Sequence, residues 1–200
     1  MRGVGVLEFG APDVLQVIDL PEVHAGPGEI RVRVHAASVN PTDVLLRTGV
    51  ERHVRQVAPP YVPGMDAAGV IDEIGPGTDT DLTIGAPVMA MVVPVGNHGA
   101  YRESIVLNID SVVRAPKGFS HSEVSTLPMN GLTARQSLDQ LALRSGQTIA
   151  VTGAAGAYGA YVIQIAKHEG LRVIADASSA DESLVSALGA DVIVPRGDDF

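Results

Sequence analysis

The sequence predicts an α/β protein with an N-terminal all-β part, built as a small barrel, followed by the first half of a doubly wound parallel sheet. Short alternating runs broken by Gly and Pro fill the chain up to about Ala115, and a helical pattern sets in after "RAPKGFS". From Thr148 to Ser178, "TIAVTGAAGAYGAYVIQIAKHEGLRVIADAS" reads as an apolar strand, a tight glycine and alanine turn, an amphipathic helix and a second apolar strand. The change of pattern divides the chain into residues 1–120 and 121–200.

In the first part, "EIRVRVHAAS" (Glu29 to Ser38), "AAGVIDEIG" (Ala67 to Gly75) and "PVMAMVV" (Pro87 to Val93) alternate as strands do. "AGPGE", "APP" and "GPGT" punctuate them, because Gly supplies positive φ and Pro presets φ. Their regular spacing predicts a closed or nearly closed barrel. Ser120 with Glu123 forms a capping box at the start of the second part, and "LTARQSLDQLAL" (Leu132 to Leu143) repeats apolar residues at helical spacing. Strand and helix then alternate from Thr148, which predicts a parallel sheet.

Composition narrows the function classes. With 46% hydrophobic and only 4% aromatic residues, the cores rest on Val, Ile, Leu and Ala. No apolar run reaches the roughly 18 residues of a membrane span, and "MRGVGVLEFG" has no signal-peptide pattern, so no membrane partner and a cytoplasmic location are expected. A formal charge of -9 argues against nucleic acid as a partner. The chain has no cysteine, which excludes disulfides and every thiolate metal site. His24, His35, His53, His98, His121 and His168 are scattered without metal-ligand spacing and read as surface or turn residues, with His98 in a Gly-flanked loop. Asp72, Glu73, Asp79 and Asp81 read as a solvated face and turn.

Gly153, Gly156 and Gly159 give G-x-x-G-x-x-G, with Ala154, Ala155 and Ala157 between them. Small residues admit a ligand close to the backbone, and the following helix offers unpaired N–H groups and its positive dipole end to an anion such as a pyrophosphate. Lys167, His168 and Glu169 end the helix before Gly170, and the second strand follows at the separation of a dinucleotide-binding βαβ unit. At its end, Asp176 and Ala177 point to opposite faces, so only one of them meets an adenosine ribose. An aspartate there selects NAD, whereas Ala177 followed by Ser178 and Ser179 fits NADP, with Arg196 the nearest cation for a 2′-phosphate. NADP is the expected cofactor.

Taken with "FGAPDVLQV", "GPGEIRVRVHAASVNPTDVLLRTG", "PYVPGMDAAGVIDEIGPG", "GAYRESIV" and "GLTARQSL", these residues resemble the medium-chain dehydrogenase/reductase superfamily and, within it, the zinc-independent quinone oxidoreductases related to zeta-crystallin. The resemblance covers essentially the whole chain and implies a GroES-like barrel followed by a Rossmann domain. It also implies that a complete member continues past Phe200 with further parallel strands, so the chain reads as a fragment of a longer protein. Zinc-dependent relatives place Cys at the position of Asn40 and His-Glu at those of Met65 and Asp66, so no zinc is expected. Without a Lewis acid, a quinone or activated alkene suits hydride transfer better than an alcohol or ketone.

Carried over residue by residue, the resemblance puts Asn40 and Asp43 of "VNPTD" beside the nicotinamide as catalytic groups, and Thr133 of "GLTA" against the cofactor. It lines the pyrophosphate with Gly153, Ala155, Gly156, Ala157, Tyr158 and Gly159, and gives Ser178, Ser179 and Arg196 to the ribose or its phosphate. Some members carry a tyrosine where this chain has Leu45. On local sequence alone, Asn40 before Pro41 caps a turn, Asp43 opens a short helix and the Thr133 hydroxyl serves the backbone. The expectation is therefore a homodimeric, NADPH-dependent, zinc-free enzyme that passes hydride to a small-molecule quinone or α,β-unsaturated carbonyl. An enoyl-thioester reductase and a non-catalytic nucleotide-binding or partner-binding module are the alternatives.

Overall fold

The computed structural model describes residues 1–50 and 57–197, in two compact units that meet in sequence at Pro128 and Met129. The first unit opens with an antiparallel pair, β1 (Arg2–Gly5) and β2 (Gln16–Asp19). Five antiparallel strands follow: β3 (Glu29–Ala36), β4 (Asp66–Ile74), β5 (Pro87–Met91), β6 (Ser104–Asn108) and β7 (Val112–Arg114), in the order β6-β3-β4-β5-β7. Period-two alternation decides the faces. Along β3, Ile30 and Val32 enter a core with Ile71, Val88, Ile105, Leu107 and Val112. Arg31 lies between them on the other face, where its guanidinium is 2.8 Å from both Asp72 and Glu73.

The sheet departs from the expected closed or nearly closed barrel. Its outer strands β6 and β7 do not pair with each other among the described residues, so the sheet stays open. Part of one edge is covered instead: β1 runs beside residues 101–103, with the Val4 N–H donating to the Tyr101 carbonyl at 2.8 Å. Irregularities in the β3–β4 register, at Arg31/Val32 and Val34/Ala36, bend the sheet without closing it.

Two helices complete this unit. α1 (Pro41–Thr48) starts with proline at its first position, where a missing N–H costs nothing, and ends at Gly49 in the left-handed conformation, φ 69°. α2 (His121–Val124) carries the expected capping box, the Ser120 N–H donating to Glu123 Oε2 at 2.8 Å. Because α2 packs on β3 and β4, the first unit extends past the composition change at 120/121.

α3 (Pro128–Leu141) begins earlier than the expected Leu132. Then come β8 (Thr148–Val151), α4 (Ala157–His168), β9 (Arg172–Ala177), α5 (Glu182–Ala187) and β10 (Val192–Pro195). The three strands are parallel in the order β10-β9-β8, the arrangement of the first half of a doubly wound sheet. Val151, Val162, Ile163, Val173 and Val185 fill its core with Ala134 and Leu138 of α3. No helix among the described residues is long and apolar enough to cross a membrane.

Ile163 is fully buried at the centre of this second core. Ile163→Ala is expected to lower stability by about 2–5 kcal/mol and Ile163→Val by only about 0.5–1.5 kcal/mol, checked by urea unfolding.

Candidate functional site

In the first unit, the "VNPTD" segment is organised by hydrogen bonds to two buried carboxylates. Asn40 is the N-cap of α1, and its backbone N–H donates to Asp43 Oδ2 at 2.7 Å. Asp43 Oδ1 accepts from the Gly64 N–H at 2.7 Å. Gly64 sits at φ 106°, and a Cβ there would stand 2.6 Å from the Tyr101 ring, so glycine is required on both counts. The Tyr101 hydroxyl lies 3.2 Å from Asp43 Oδ2 and 3.2 Å from the Ser38 carbonyl, donating between them. Burial, and then the charge of Asp43, pushes the Tyr101 phenol well above its ordinary value, so it keeps its proton at physiological pH.

Asp66, fully buried, receives the side chains of the same segment. Asn40 Nδ2 donates to Asp66 Oδ2 at 2.7 Å and to Ser38 Oγ at 3.0 Å, and Ser38 Oγ donates to the same carboxylate oxygen. Met65, the other residue at a metal-ligand position of zinc-dependent relatives, accepts from Thr42 Oγ1 at 2.9 Å. The two oxygens of Asp43, expected beside the cofactor, serve two backbone N–H groups and a phenol and so also hold the Asn40 and Gly64 turns. Ser38, Asp66 and Tyr101 complete the cluster. Sequence reasoning did not single out Ser38 or Tyr101, although Tyr101 lies in the quoted "GAYRESIV" block, because strand spacing carries no sign of which residues meet across turns.

In the second unit, the turn after β8 has the form that a phosphate needs. Gly153 adopts φ 63°, its carbonyl accepts from the Gly156 N–H at 2.9 Å, and Gly156 is the N-cap of α4 with no side chain to occupy the first amides. Gly153, Gly156, Ala157 and Tyr158 are exposed, Ala155 is half-buried and Gly159 is buried. A Cβ on Gly159 would lie 2.5 Å from the Gly153 carbonyl oxygen and 2.8 Å from Ala154 Cα. The cradle therefore fits a diphosphate: bare backbone at a helix N-terminus, with no side chain in the way.

At the ribose end, Asp176 points beneath the turn. Its Oδ1 accepts from the Ala154 N–H at 3.0 Å and its Oδ2 from Arg196 Nε at 3.1 Å. The Ala154 bond, followed by Arg196, holds this carboxyl below the ordinary aspartate range despite burial. Ala177 is buried in the sheet core. Ser178 Oγ donates to Asp181 Oδ2 at 2.7 Å, and Ser179 is exposed. Thr133 is exposed, but its hydroxyl donates to the Met129 carbonyl at 2.7 Å and so serves its own helix. Leu45 is partly exposed on α1.

The remaining charged residues fall outside these clusters. Asp79 and Asp81 are exposed, whereas Asp72 and Glu73 are half-buried and clasp Arg31. His24 and His168 are exposed. His98 is partly buried, which lowers its affinity for a proton, and the nearby Arg102 adds to this. The rings of His35 and His121 stack with centroids 4.7 Å apart. His53 lies outside the described residues. No three His, Cys, Asp or Glu side chains among the described residues are grouped as metal ligands.

A β-rich unit followed by parallel β-α units with a glycine turn defines a fold class, a GroES-like domain before a Rossmann-type sheet. Residues 26–117 match the alcohol dehydrogenase GroES-like domain. A quinone oxidoreductase of Mus musculus is 32% identical over 95% of this chain and 56% of its own length. A structure described as an NAD-dependent alcohol dehydrogenase superposes with a TM-score of 0.89 at 35% identity, covering 98% of this chain and 63% of that one. Mycobacterial Rv1454c complexed with NADPH superposes with a TM-score of 0.83 at 28% identity, covering 100% and 60%. The chain belongs to the medium-chain dehydrogenase/reductase superfamily and groups with its quinone oxidoreductases. It spans little more than half the length of the curated relatives it matches.

Two outcomes follow from the first cluster. Asp43→Ala strips the acceptor from two buried N–H groups and is expected to cost about 1–3 kcal/mol for each, measured by urea unfolding. Because the folded-state value of Tyr101 is raised, its contribution is complete below the ordinary phenol value of 10.0 and is lost as pH climbs above it toward the folded value. Unfolding free energy should therefore fall more steeply above about pH 10 in the wild type than in Tyr101→Phe.

Proposed function

We propose that the chain supplies the GroES-like unit and the adenosine-side nucleotide site of an NADPH-dependent reductase that delivers hydride to a quinone or other α,β-unsaturated carbonyl without zinc. The observation that carries this reading is the turn from Gly153 to Gly159, where a glycine N-cap leaves the first amides of α4 without a side-chain partner and small residues leave room for a diphosphate. Asp176 supports NADPH over NADH. Its carboxylate is turned to the Ala154 N–H and Arg196, so both oxygens are already engaged beneath the turn and Oδ2 is paired with a cation. The NADPH complex of one structural relative is in keeping with this choice.

When bound, the nicotinamide supplies the hydride. The chain's own residues bind and orient: Gly153, Gly156, Ala157 and Tyr158 offer backbone to the diphosphate, and Ser178, Ser179 and Arg196 border the ribose. In the first unit, Asp66 fixes the Asn40 amide and Asp43 fixes the Tyr101 phenol, which gives the acceptor a polar wall that is already hydrogen-bonded. A conjugated acceptor takes hydride into its π-system and needs less polarisation of its oxygen than an alcohol or ketone does. The quinone oxidoreductases among the relatives support that substrate class. A homodimer, as the family resemblance implies, and a cytoplasmic location belong to the same proposal.

NADPH should protect the purified protein from thermal unfolding at a much lower concentration than NADH, by about 2.7 kcal/mol at a hundredfold excess over its Kd. NADPH oxidation with 1,4-benzoquinone should persist in the presence of a zinc chelator. Equal protection by the two nucleotides would overturn the cofactor assignment, and chelator-sensitive turnover would overturn the zinc-free chemistry.

A further inference from the structure

Among the described residues, Asp176 is the one buried acid of the second unit that touches the nucleotide turn, and the proposed function leaves it without a task. Its side chain is only 8% exposed, yet it bonds groups on two different elements. One oxygen holds the Ala154 N–H, inside the glycine turn, and the other holds Arg196 Nε, just past β10. Arg196 is anchored beside it by the backbone: its N–H donates to the Ala177 carbonyl at 2.9 Å, continuing the parallel register in which Val194 faces Asp176 and Pro195 faces Ala177. Among the described residues, the bond to Asp176 is the only polar contact of the Arg196 side chain, which is 47% exposed.

The choice of nitrogen matters. A guanidinium bound through Nε keeps both terminal nitrogens free, and these form the planar fork that grips a phosphate with two parallel hydrogen bonds. We infer that Asp176 is a positioning residue for cofactor choice: it ties the glycine turn to Arg196 and holds that guanidinium with its fork turned outward, toward a phosphate on the adenosine ribose. The inference rests on the NADPH reading and assigns to Asp176 the opposite effect from that of an acidic residue that accepts from a 2′-hydroxyl. Its charge does oppose a phosphate, but from behind the guanidinium and already matched by it. An untethered Arg, half in solvent, would have to give up several rotamers on each binding event. Positioning outweighs repulsion in this geometry.

The test uses two probes that differ only in the 2′-phosphate, adenosine 2′,5′-bisphosphate and AMP, titrated against the purified protein by calorimetry. The wild type should bind the bisphosphate about tenfold or more tightly than AMP, the scale of one charge-assisted fork contact. Arg196→Gln should bring that ratio close to one, chiefly by weakening the bisphosphate. Asp176→Asn, whose amide oxygen still accepts from the Ala154 N–H, should also lower the ratio with little change for AMP, and in the Arg196→Gln background it should lower it no further. Asp176→Glu should restore part of the ratio. If Asp176→Asn keeps or raises the ratio, or weakens both probes equally, the residue is no more than a support for the turn and the inference falls while the NADPH reading stands. A wild-type ratio near one would overturn both.

Discussion

Helix α4 starts so close to the end of β8 that its third residue lies against the intervening turn and has no space for a side chain. Gly159 sets the distance, since a Cβ there would overlap the Gly153 carbonyl and the Ala154 backbone. Gly156, the N-cap, has no side chain to occupy the first amides of α4, which lie at the positive end of the helix. The close approach also brings the Ala154 N–H over the end of β9, where Asp176 meets it. From that contact the constraint passes through Arg196 to the end of β10, so turn, second strand and third strand are linked at their carboxyl ends, the side of a parallel sheet on which ligands bind.

The first unit meets the same need with other residues. A loop and a short helix have to be held beside the start of β4, the central strand of the sheet. Here Asp66 receives Ser38 and Asn40, and Asp43 receives the backbone of Asn40 and Gly64. Each carboxylate is buried, which is tolerable only because its lone pairs are met by donors at hydrogen-bonding distance. Removing one donor would therefore cost more than one hydrogen bond, since the charge would be left partly unmatched.

Much of this was legible in the sequence. Alternation located β3, β4 and β5, the capping box at Ser120 and Glu123 is present, and the glycine turn sits between a strand and a helix as its spacing requires. These features are local, and local chemistry decides them. What the sequence hid is decided by contacts across the chain. Barrel closure depends on whether β6 and β7 reach each other, which turn spacing does not state. The partners of Asp43 are hidden in the same way, because Gly64 and Tyr101 arrive from distant segments. Thr133 turned inward to its own helix for the reason its residue type allows, a hydroxyl within reach of a carbonyl one turn back.

A common device emerges from the acids. Asp43 binds the Gly64 N–H, Asp176 binds the Ala154 N–H, and Asp191 binds the Val173 N–H at 2.7 Å while pairing with Lys167. In each case a carboxylate fixes a backbone donor at the end of an element, where the regular ladder no longer supplies a partner. For Asp176 and Asp191 these bonds, with their cationic partners, hold the carboxyl below the ordinary aspartate value. In the first unit the acids hold the Asn40 amide and the Tyr101 phenol; in the second, Asp176 holds the Ala154 N–H and the Arg196 guanidinium. Within each unit, negative charge fixes donors at the ends of elements, where the backbone alone would leave them unmatched.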